Sequence, residues 1–363
     1  MLRLFLALPG ALLGLLLVLP ALVMAAPLWT VRGLVQAAQR WLEPQAMPKK
    51  DVMEFDPVLG WKGRPGLNAH LLIDGDDIYP IRTDEEGWPV TPAPRVEEAG
   101  LVVVGDSFAF GHGVRQGEAF FEVAPELRIK ALGAPGYDMV QEFLIIREMG
   151  SRLRGKLVVW LVYVENDLTD SLRPHWLGYR KPFAQKPAGS EEWSIRSDHL
   201  SSRPWRASGP STDWAQFAEL CTPGPFAERH YSASAYLAAH GARVCREAGA
   251  EGLIIVTIPN VNQLEEEGSA FLRGLSPDPE RFDVALPHRR FEELCAAAGI
   301  SHVSGLDHFR ARDYKRFERF HWNARGHQRA ADLLEDLKHQ WDAGQLSPSE
   351  SAMKDVVSGI SPS

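Results

Sequence analysis

The 363-residue chain has little of what marks a metal-binding, disulfide-stabilised or nucleic-acid-binding protein. Its three cysteines, Cys221, Cys245 and Cys295, are far apart and show no C-x-x-C or Cys/His metal spacing. Because Cys245 and Cys295 fall in alanine-rich helical patterns, we expect them to be buried free thiols. The formal charge of −8 argues against a nucleic-acid partner, which normally requires a basic face.

The glycine-containing turn GDSFAFGHG at residues 105–113 lacks the sequence features of two kinds of binding site. No Gly-Lys-Ser/Thr follows these glycines, so the turn is not a P-loop. A metal site made by Asp106 and His112 has too few ligands. We therefore expect neither a bound nucleotide nor a metal at this turn.

One long apolar run lies at the N-terminus, from Leu4 to Val31. It exceeds the apolar core of about 7–15 residues in an ordinary signal peptide and is long enough to span a bilayer. We expect an N-terminal transmembrane anchor or signal segment over residues 1–44, with the membrane as a partner through this helix. The basic residues on its two sides do not determine its orientation. We favour an extracytoplasmic main domain.

The rest of the chain divides by composition. Residues 45–100 are rich in Pro, Gly and Asp, which predicts a leader of short strands packed on the main domain. The main domain is expected over 101–345 and contains a Trp- and Pro-rich insertion or lid at 168–225. The tail 346–363 is predicted to be disordered.

Strand-like and helix-like stretches alternate in the main domain. This alternation predicts an α/β fold with a five-stranded parallel sheet and helices on both faces. The predicted strands are 101–104, 127–132, 157–163, 253–258 and 300–304, and the predicted helices are 137–153, 226–248, 287–298 and 323–341.

Polar residues follow several of these strands, at the sheet edge where doubly wound proteins bind ligands. Ser107 follows the first strand, Gly136 and Asn166 follow the next two, and His321 directly precedes the last helix. This set suits acyl transfer. Ser107 would be the nucleophile and His321 its base, while an oxyanion hole would be formed by Ser107 N–H, Gly136 N–H and Asn166.

Each of these residues also has an ordinary structural interpretation. Asp106 and Ser107 are common helix caps, as is Asn166, and Gly136 is a common turn residue. His321 competes with other histidines as the base. Of these, His302 is expected to pack within a strand, and His327 is expected to face outward from the last helix or cap it.

Taken together, the polar blocks resemble those of SGNH/GDSL hydrolases. The similar blocks are Gly105-Asp106-Ser107-Phe108, Gly133-x-x-Gly136, Asn166-Asp167 and His321-Trp322-Asn323-x-x-Gly326-His327. Bacterial membrane-anchored members with a GDSF-x-FG-x-GV block, and with a leader similar to DPVLGW at 56–61, are the most alike. The resemblance covers about 101–341. It implies a flavodoxin-like three-layer α/β/α fold, serine-dependent ester chemistry without a metal or other cofactor, and a location at the periplasmic side of a bacterial inner membrane.

Two positions depart from that family's pattern. The family usually places an Asp two or three residues before the histidine, to orient the imidazole. Position 319 is Arg here, so we expect Glu318 to take that role, with Asp307 and Asp313 as alternatives and a surface ion pair as the ordinary interpretation. The family's second block usually has Asn where Ala131 stands, which removes a supporting hydrogen bond.

The leading functional hypothesis is an ester hydrolase that acts on O-acyl groups through a Ser107 acyl-enzyme. Its substrate would be a small molecule or a carbohydrate or lipid ester, O-acetyl carbohydrate included. An O-acyltransferase that modifies an envelope polysaccharide and a non-catalytic binding or assembly module are the alternatives. The insertion bears on this choice, because its tryptophans could exclude water, bind carbohydrate or form a small core of their own. They are Trp176, Trp193, Trp205 and Trp214.

Overall fold

The structure, a computed structural model, begins with a leader of two antiparallel hairpins. The first pairs β1 (Met53–Asp56) with β2 (Gly60–Gly63), and the second pairs β3 (Asn68–Ile73) with β4 (Asp77–Arg82). The described residues are 52–73, 77–176, 179–187, 189–190, 192–202, 214–315 and 320–346. The predicted N-terminal segment, Trp205, Glu318 and nearly all of the predicted disordered tail lie outside them.

Nine further strands follow the leader within the described residues. They are β5 (Leu101–Gly105), β6 (Ile129–Gly133), β7 (Leu157–Tyr163), β8 (His175–Trp176), β9 (Tyr179–Arg180), β10 (Phe183–Gln185), β11 (Ser194–Arg196), β12 (Gly252–Ile258) and β13 (Ser301–Ser304). Five of them form one parallel sheet in the order β13-β12-β7-β5-β6. This confirms the predicted parallel five-stranded sheet. In chain order the strands run 2-1-3-4-5 across the sheet, which is the flavodoxin-like arrangement.

The central strands are buried on both faces, as their sequences predict. Leu101 to Val104 are at most 1% exposed, and every residue of β7 is buried. Alternate residues of β5 enter separate apolar clusters, Val102 and Val104 on one face of the sheet and Leu101 and Val103 on the other. The sheet therefore has a core on each side.

Within the described residues the helices are α1 (Ser107–Phe110), α2 (Phe120–Val123), α3 (Met139–Met149), α4 (Asn166–Asp170), α5 (Trp214–Leu220), α6 (Pro225–Ala248), α7 (Glu266–Leu275), α8 (Leu286–Ala298) and α9 (Ala324–Asp342). Four of the helices around the sheet, α3, α6, α8 and α9, correspond to the four predicted ones, and the others were not predicted. The helix α3 is shorter than the predicted 137–153. Asp138 caps it by accepting the Val140 N–H at 2.8 Å, and Gly150, at φ +45°, ends it.

The leader supplies a counter-charge to the sheet. Lys130, on the otherwise apolar β6, is 1% exposed. It forms an ion pair with Asp84 of the leader and donates to the carbonyl of Pro94 at 3.1 Å. Because a buried ammonium needs such partners, the leader completes the main domain's packing.

Within its described residues, the insertion contains two small hairpins, β8–β9 and β10–β11, and the helix α5. Lys181, between the hairpins, forms a 2.5 Å ion pair with Asp138, and both side chains are fully buried. Lys181 also donates to the carbonyl of Asp170 at 2.7 Å. These contacts fix the insertion to the start of α3, next to the turn that carries Gly136.

Candidate active site

Ser107 lies where the sheet order reverses, at the carboxyl end of β5. Asp106 is the N-cap of α1 and accepts the Phe108 N–H at 2.9 Å, while Ser107 is the first residue of the helix. The cap and the nucleophile predicted from this turn are therefore two adjacent residues. Glycine is favoured at position 105 because a Cβ there would lie 3.0 Å from both the carbonyl oxygen of Leu161 and the Cβ of Ala109.

His321 lies beside this serine although 214 positions separate them in the chain. Its Nε2 is 2.8 Å from Ser107 Oγ, the contact that a general base needs. The His321 carbonyl accepts the Lys315 N–H at 2.9 Å, and Tyr314 and Trp322 pair across the intervening loop. The rings of Phe108 and His112 lie 5.5 Å and 4.7 Å from the imidazole, so it is packed on two sides.

The competing histidines occupy other positions. His327 is wrongly predicted to face outward or to cap the helix. It is 1% exposed, accepts the Phe120 N–H at 3.3 Å and stacks on the Phe120 ring. Burial lowers the His327 pKa to about 3. His302 contacts Thr257 at 3.0 Å within the sheet and is packed as predicted.

Three carboxylates are the candidates for orienting His321. Glu318 lies outside the described residues and stays a prediction. Asp307 lies in the turn after β13, where its charge acts on His308. Asp313 is fully buried, and its Oδ2 accepts the Arg310 N–H at 2.9 Å.

Asn166, at the start of α4, shares a contact with the serine. Its Nδ2 donates to the carbonyl of Tyr137 and to Asp167 Oδ1, both at 2.9 Å, and lies 3.5 Å from Asp106 Oδ2. Ser107 Oγ lies 3.3 Å from that same Asp106 oxygen. The Asn166 side-chain amide and the Ser107 hydroxyl thus both contact the Asp106 carboxylate.

Gly136 lies in the turn after β6 at φ +78°, a conformation that favours glycine. A Cβ there would lie 2.4 Å from the ring of Trp176 in the insertion. The next residue, Tyr137, provides the carbonyl that binds Asn166. The structure thus places all three candidate oxyanion donors around the carboxyl ends of β5, β6 and β7.

An aromatic cluster from the leader and the insertion covers the Gly136 turn. Trp61 stacks on Trp176 at 5.4 Å, and Tyr179 and Tyr137 lie 5.4 Å and 5.7 Å from Trp61. Trp61 Nε1 donates to the carbonyl of Pro135 at 3.2 Å, and Tyr137 OH donates to the carbonyl of Trp61 at 2.6 Å. Both segments therefore wall the site from one side.

Sequence reasoning missed a group of carboxylates beneath the serine turn. Asp106, Glu142 and Asp167 are buried, and one oxygen of each lies within 4.8 Å of the others. Within the described residues, these three side chains are the one acidic group whose oxygens lie close enough together to bind a metal ion. The signal in the sequence was a polar pair, Gln141-Glu142, between the apolar residues Met139-Val140 and the apolar run Phe143–Ile146 of the same helix.

Burial also shifts the titration of these groups. The pKa of Asp106 is raised, mainly by loss of solvent. Burial raises the pKa values of Glu142 and Asp167 well above their usual range, and neighbouring carboxylates add to this. Nearby, burial raises the pKa of Glu165 to about 7, although Tyr163 and Asn260 donate to it.

Comparison with known proteins gives several similar solved structures. A carbohydrate acetylesterase family member from Sinorhizobium meliloti is 12% identical, with a TM-score of 0.38, and the match covers 66% of this chain and 97% of that one. A GDSL-like lipase from Bacteroides thetaiotaomicron is 11% identical with a TM-score of 0.37, covering 66% and 87%. An acetyl-xylooligosaccharide esterase variant from Geobacillus is 13% identical with a TM-score of 0.37, covering 66% and 93%.

Identity and TM-score are both low, so the fold rests on the strand order and the site on its own geometry. No family model and no curated protein matches the chain. Among the described residues, no helix is long and apolar enough to cross a membrane.

Proposed function

We propose that this chain is a serine-dependent hydrolase of O-acyl esters. The observation that carries the proposal is the 2.8 Å contact between Ser107 Oγ and His321 Nε2 at the switch point of the sheet. A hydroxyl held against an imidazole, with amide donors on the same rim, is the arrangement that nucleophilic acyl chemistry requires.

In the first half-reaction, Ser107 Oγ attacks the ester carbonyl carbon while His321 Nε2 accepts the hydroxyl proton. The carbonyl oxygen becomes an oxyanion that accepts hydrogen bonds from Ser107 N–H, Gly136 N–H and Asn166 Nδ2. The intermediate collapses by breaking the bond to the leaving oxygen, which takes the proton from His321. Ser107 then carries the acyl group, and the alcohol departs.

In the second half-reaction, water attacks the acyl-enzyme while His321 accepts one of its protons. The second tetrahedral intermediate expels Ser107 Oγ, which takes the proton back from His321. The products are the free carboxylic acid and the resting enzyme. Glu318 would stabilise the imidazolium formed in both halves.

Acyl transfer to a sugar hydroxyl is the second candidate, and the aromatic cover favours it. Trp176 packs on Gly136, and the buried Lys181–Asp138 pair fixes the insertion that carries it. A wall that excludes water leaves the acyl-enzyme to another acceptor. Carbohydrate or lipid esters at the outer face of a bacterial inner membrane would suit either reaction, with residues 1–44 as the anchor.

The test of the hydrolase is turnover of short-chain aryl esters by the full chain and by Ser107→Ala. We expect Ser107→Ala to lose activity by at least about a thousandfold because the nucleophile is removed. Equal turnover by both proteins would exclude the serine mechanism. A matched thermal unfolding curve shows that the variant is folded.

Trp176→Ala separates hydrolysis from transfer. With an added sugar alcohol as acceptor, we expect the fraction of acyl groups passed to water to rise in this variant. Trp193→Ala is the control, since Trp193 lies elsewhere in the insertion and its Nε1 donates to Ser232 Oγ on α6. An unchanged partition in Trp176→Ala would contradict a role of the cover in excluding water.

A further inference from the structure

The carboxylates beneath the serine turn join three separate segments. Asp106 follows β5, Glu142 lies on α3 and Asp167 lies on α4, and their exposures are 1%, 0% and 0%. Three ionised carboxylates cannot share such a volume without strong mutual repulsion. At least one proton must therefore reside among them.

Hydrogen-bond accounting shows where that proton belongs. Asp167 Oδ2 accepts the Tyr163 N–H at 2.6 Å, and Oδ1 accepts the Asn166 side-chain N–H at 2.9 Å. Glu142 Oε2 accepts the Trp160 indole N–H at 2.7 Å. Within the described residues, the remaining oxygen, Glu142 Oε1, is buried and receives no hydrogen bond.

A proton on Glu142 Oε1 satisfies every oxygen of the pair. One oxygen of Glu142 lies within 4.8 Å of one oxygen of Asp167, and two carboxyl groups can share a hydrogen bond only if one of them is protonated. Both Asp167 oxygens already accept N–H groups, so Asp167 is the acceptor and Glu142 the donor. Burial and neighbouring carboxylates raise the pKa values of both Glu142 and Asp167, which favours retention of a proton within the pair.

The hydrogen bonds of Asp167 also determine the orientation of Asn166, the proposed oxyanion donor. Asp167 Oδ1 fixes one N–H of the Asn166 amide and thereby sets the plane of the whole group. The second N–H is then aimed along the rim toward the Tyr137 carbonyl and Asp106, next to Ser107. An Asp167 side chain that rotates would carry this amide with it.

We propose that Glu142 is a positioning residue for the reaction: it donates a proton to Asp167 and so holds Asn166 in its oxyanion-binding orientation. This inference rests on the proposed ester hydrolysis. Glu142 acts through Asp167 and Asn166 and does not touch the substrate.

Two isosteric substitutions test the direction of this hydrogen bond. In Glu142→Gln, the amide N–H replaces the acid O–H and still donates to Asp167. In Asp167→Asn, the new NH2 group faces either Tyr163 N–H or the Asn166 amide, so two donors oppose each other. We expect Asp167→Asn to lower kcat about a hundredfold, as for loss of one oxyanion donor, with KM changed less than about threefold.

Glu142→Leu removes the donor and is the reference for rescue. We expect it to lower kcat at least about thirtyfold, and Glu142→Gln to recover most of that loss. The kcat-against-KM split separates positioning from general damage, which would move both. Equal losses in Glu142→Leu and Glu142→Gln, or a fully active Asp167→Asn, would overturn the proposal.

Thermal unfolding tests the proton assignment without any activity. We expect Asp167→Asn to lower the unfolding midpoint clearly more than Glu142→Gln, and the reverse order would overturn the assignment. A wild-type chain that hydrolyses no ester and whose Ser107 reacts with no phosphonate would refute the proposed function and the catalytic part of this inference. The unfolding comparison would still decide where the proton lies.

Discussion

Two groups of buried titratable side chains lie at different parts of the sheet, and one of them contacts Ser107 and Asn166. Asp106, Glu142 and Asp167 lie under the serine turn. His288 and His302 lie beside β12, where Thr257 Oγ1 is 2.8 Å from His288 Nδ1 and 3.0 Å from His302 Nε2.

Burial shifts both groups, in opposite senses. The carboxyl pKa values are raised, whereas the His288 and His302 pKa values fall to about 3 and about 4. In both cases burial favours the neutral form. A shifted pKa therefore does not by itself mark a functional site. The carboxylates differ because their hydrogen bonds lead to Ser107 and Asn166.

Among substitutions in these two groups, the largest expected effect comes from Asp106→Ala. It removes the acceptor shared by Ser107 Oγ and Asn166 Nδ2 and the cap of α1. We expect kcat for an aryl ester to fall by about two to three orders of magnitude. Steady-state kinetics checks this, and wild-type turnover in Asp106→Ala would remove the functional distinction between the two groups.

Much of the site around Ser107 and its neighbouring carboxylates could be predicted from the sequence. The apolar strand LVVV followed by Gly-Asp-Ser indicates both β5 and its polar end. The same local logic places Gly136 and Asn166, since each directly follows a strand. Glu142 could not be found this way, because a Glu in a helix is usually a solvated surface residue. In the fold it is fully buried, and its Oε2 accepts the indole N–H of Trp160 on β7.

The histidines show what local sequence patterns cannot predict, namely contacts between distant segments. His321 was identified from its block before α9, but its distance to Ser107 depends on a contact across 214 positions. His327 was placed on the wrong side of α9, because the Phe120 segment that covers it is distant in sequence. The Trp61–Trp176 stack is likewise a contact between two separate segments, and the sequence of neither segment predicts it.

His288→Leu tests the second group, the histidine pair beside β12. It removes the partner of Thr257 and a 3.4 Å contact with Gln263. We expect the free energy of unfolding to fall by about 1–3 kcal/mol, with kcat unchanged within about twofold. Urea unfolding and aryl ester kinetics check both parts, and a hundredfold loss of kcat in a folded variant would assign this pair to the active site.

The smallest expected effect is a pH dependence of stability that originates in His302. Its folded-state pKa, about 4, lies below the unfolded value of about 6.5, so the unfolded chain binds more protons between these pH values. Stability from this group is complete above about pH 6.5 and is lost as pH falls toward 4. At pH 5.5 we expect a loss of about 1 kcal/mol relative to pH 7.

Comparison of the wild type with His302→Gln isolates that contribution. Buried carboxyls with raised pKa values oppose it in the wild type, since their stabilisation is lost as pH rises. The difference between the two proteins cancels these carboxyls. The variant should lose about 1 kcal/mol less between pH 7 and pH 5.5, and identical losses would show that His302 is not held neutral.

The central claim is that Ser107 is a nucleophile activated by His321, and covalent labelling tests it most directly. The full chain is treated with a fluorophosphonate, and the modified residue is located by peptide mass spectrometry, with Ser107→Ala and His321→Ala in parallel. We predict one phosphonyl group on Ser107 of the wild type, none at this site in Ser107→Ala, and strongly slowed labelling in His321→Ala. A folded wild-type protein that stays unlabelled at Ser107, or that labels equally fast without His321, would contradict the account.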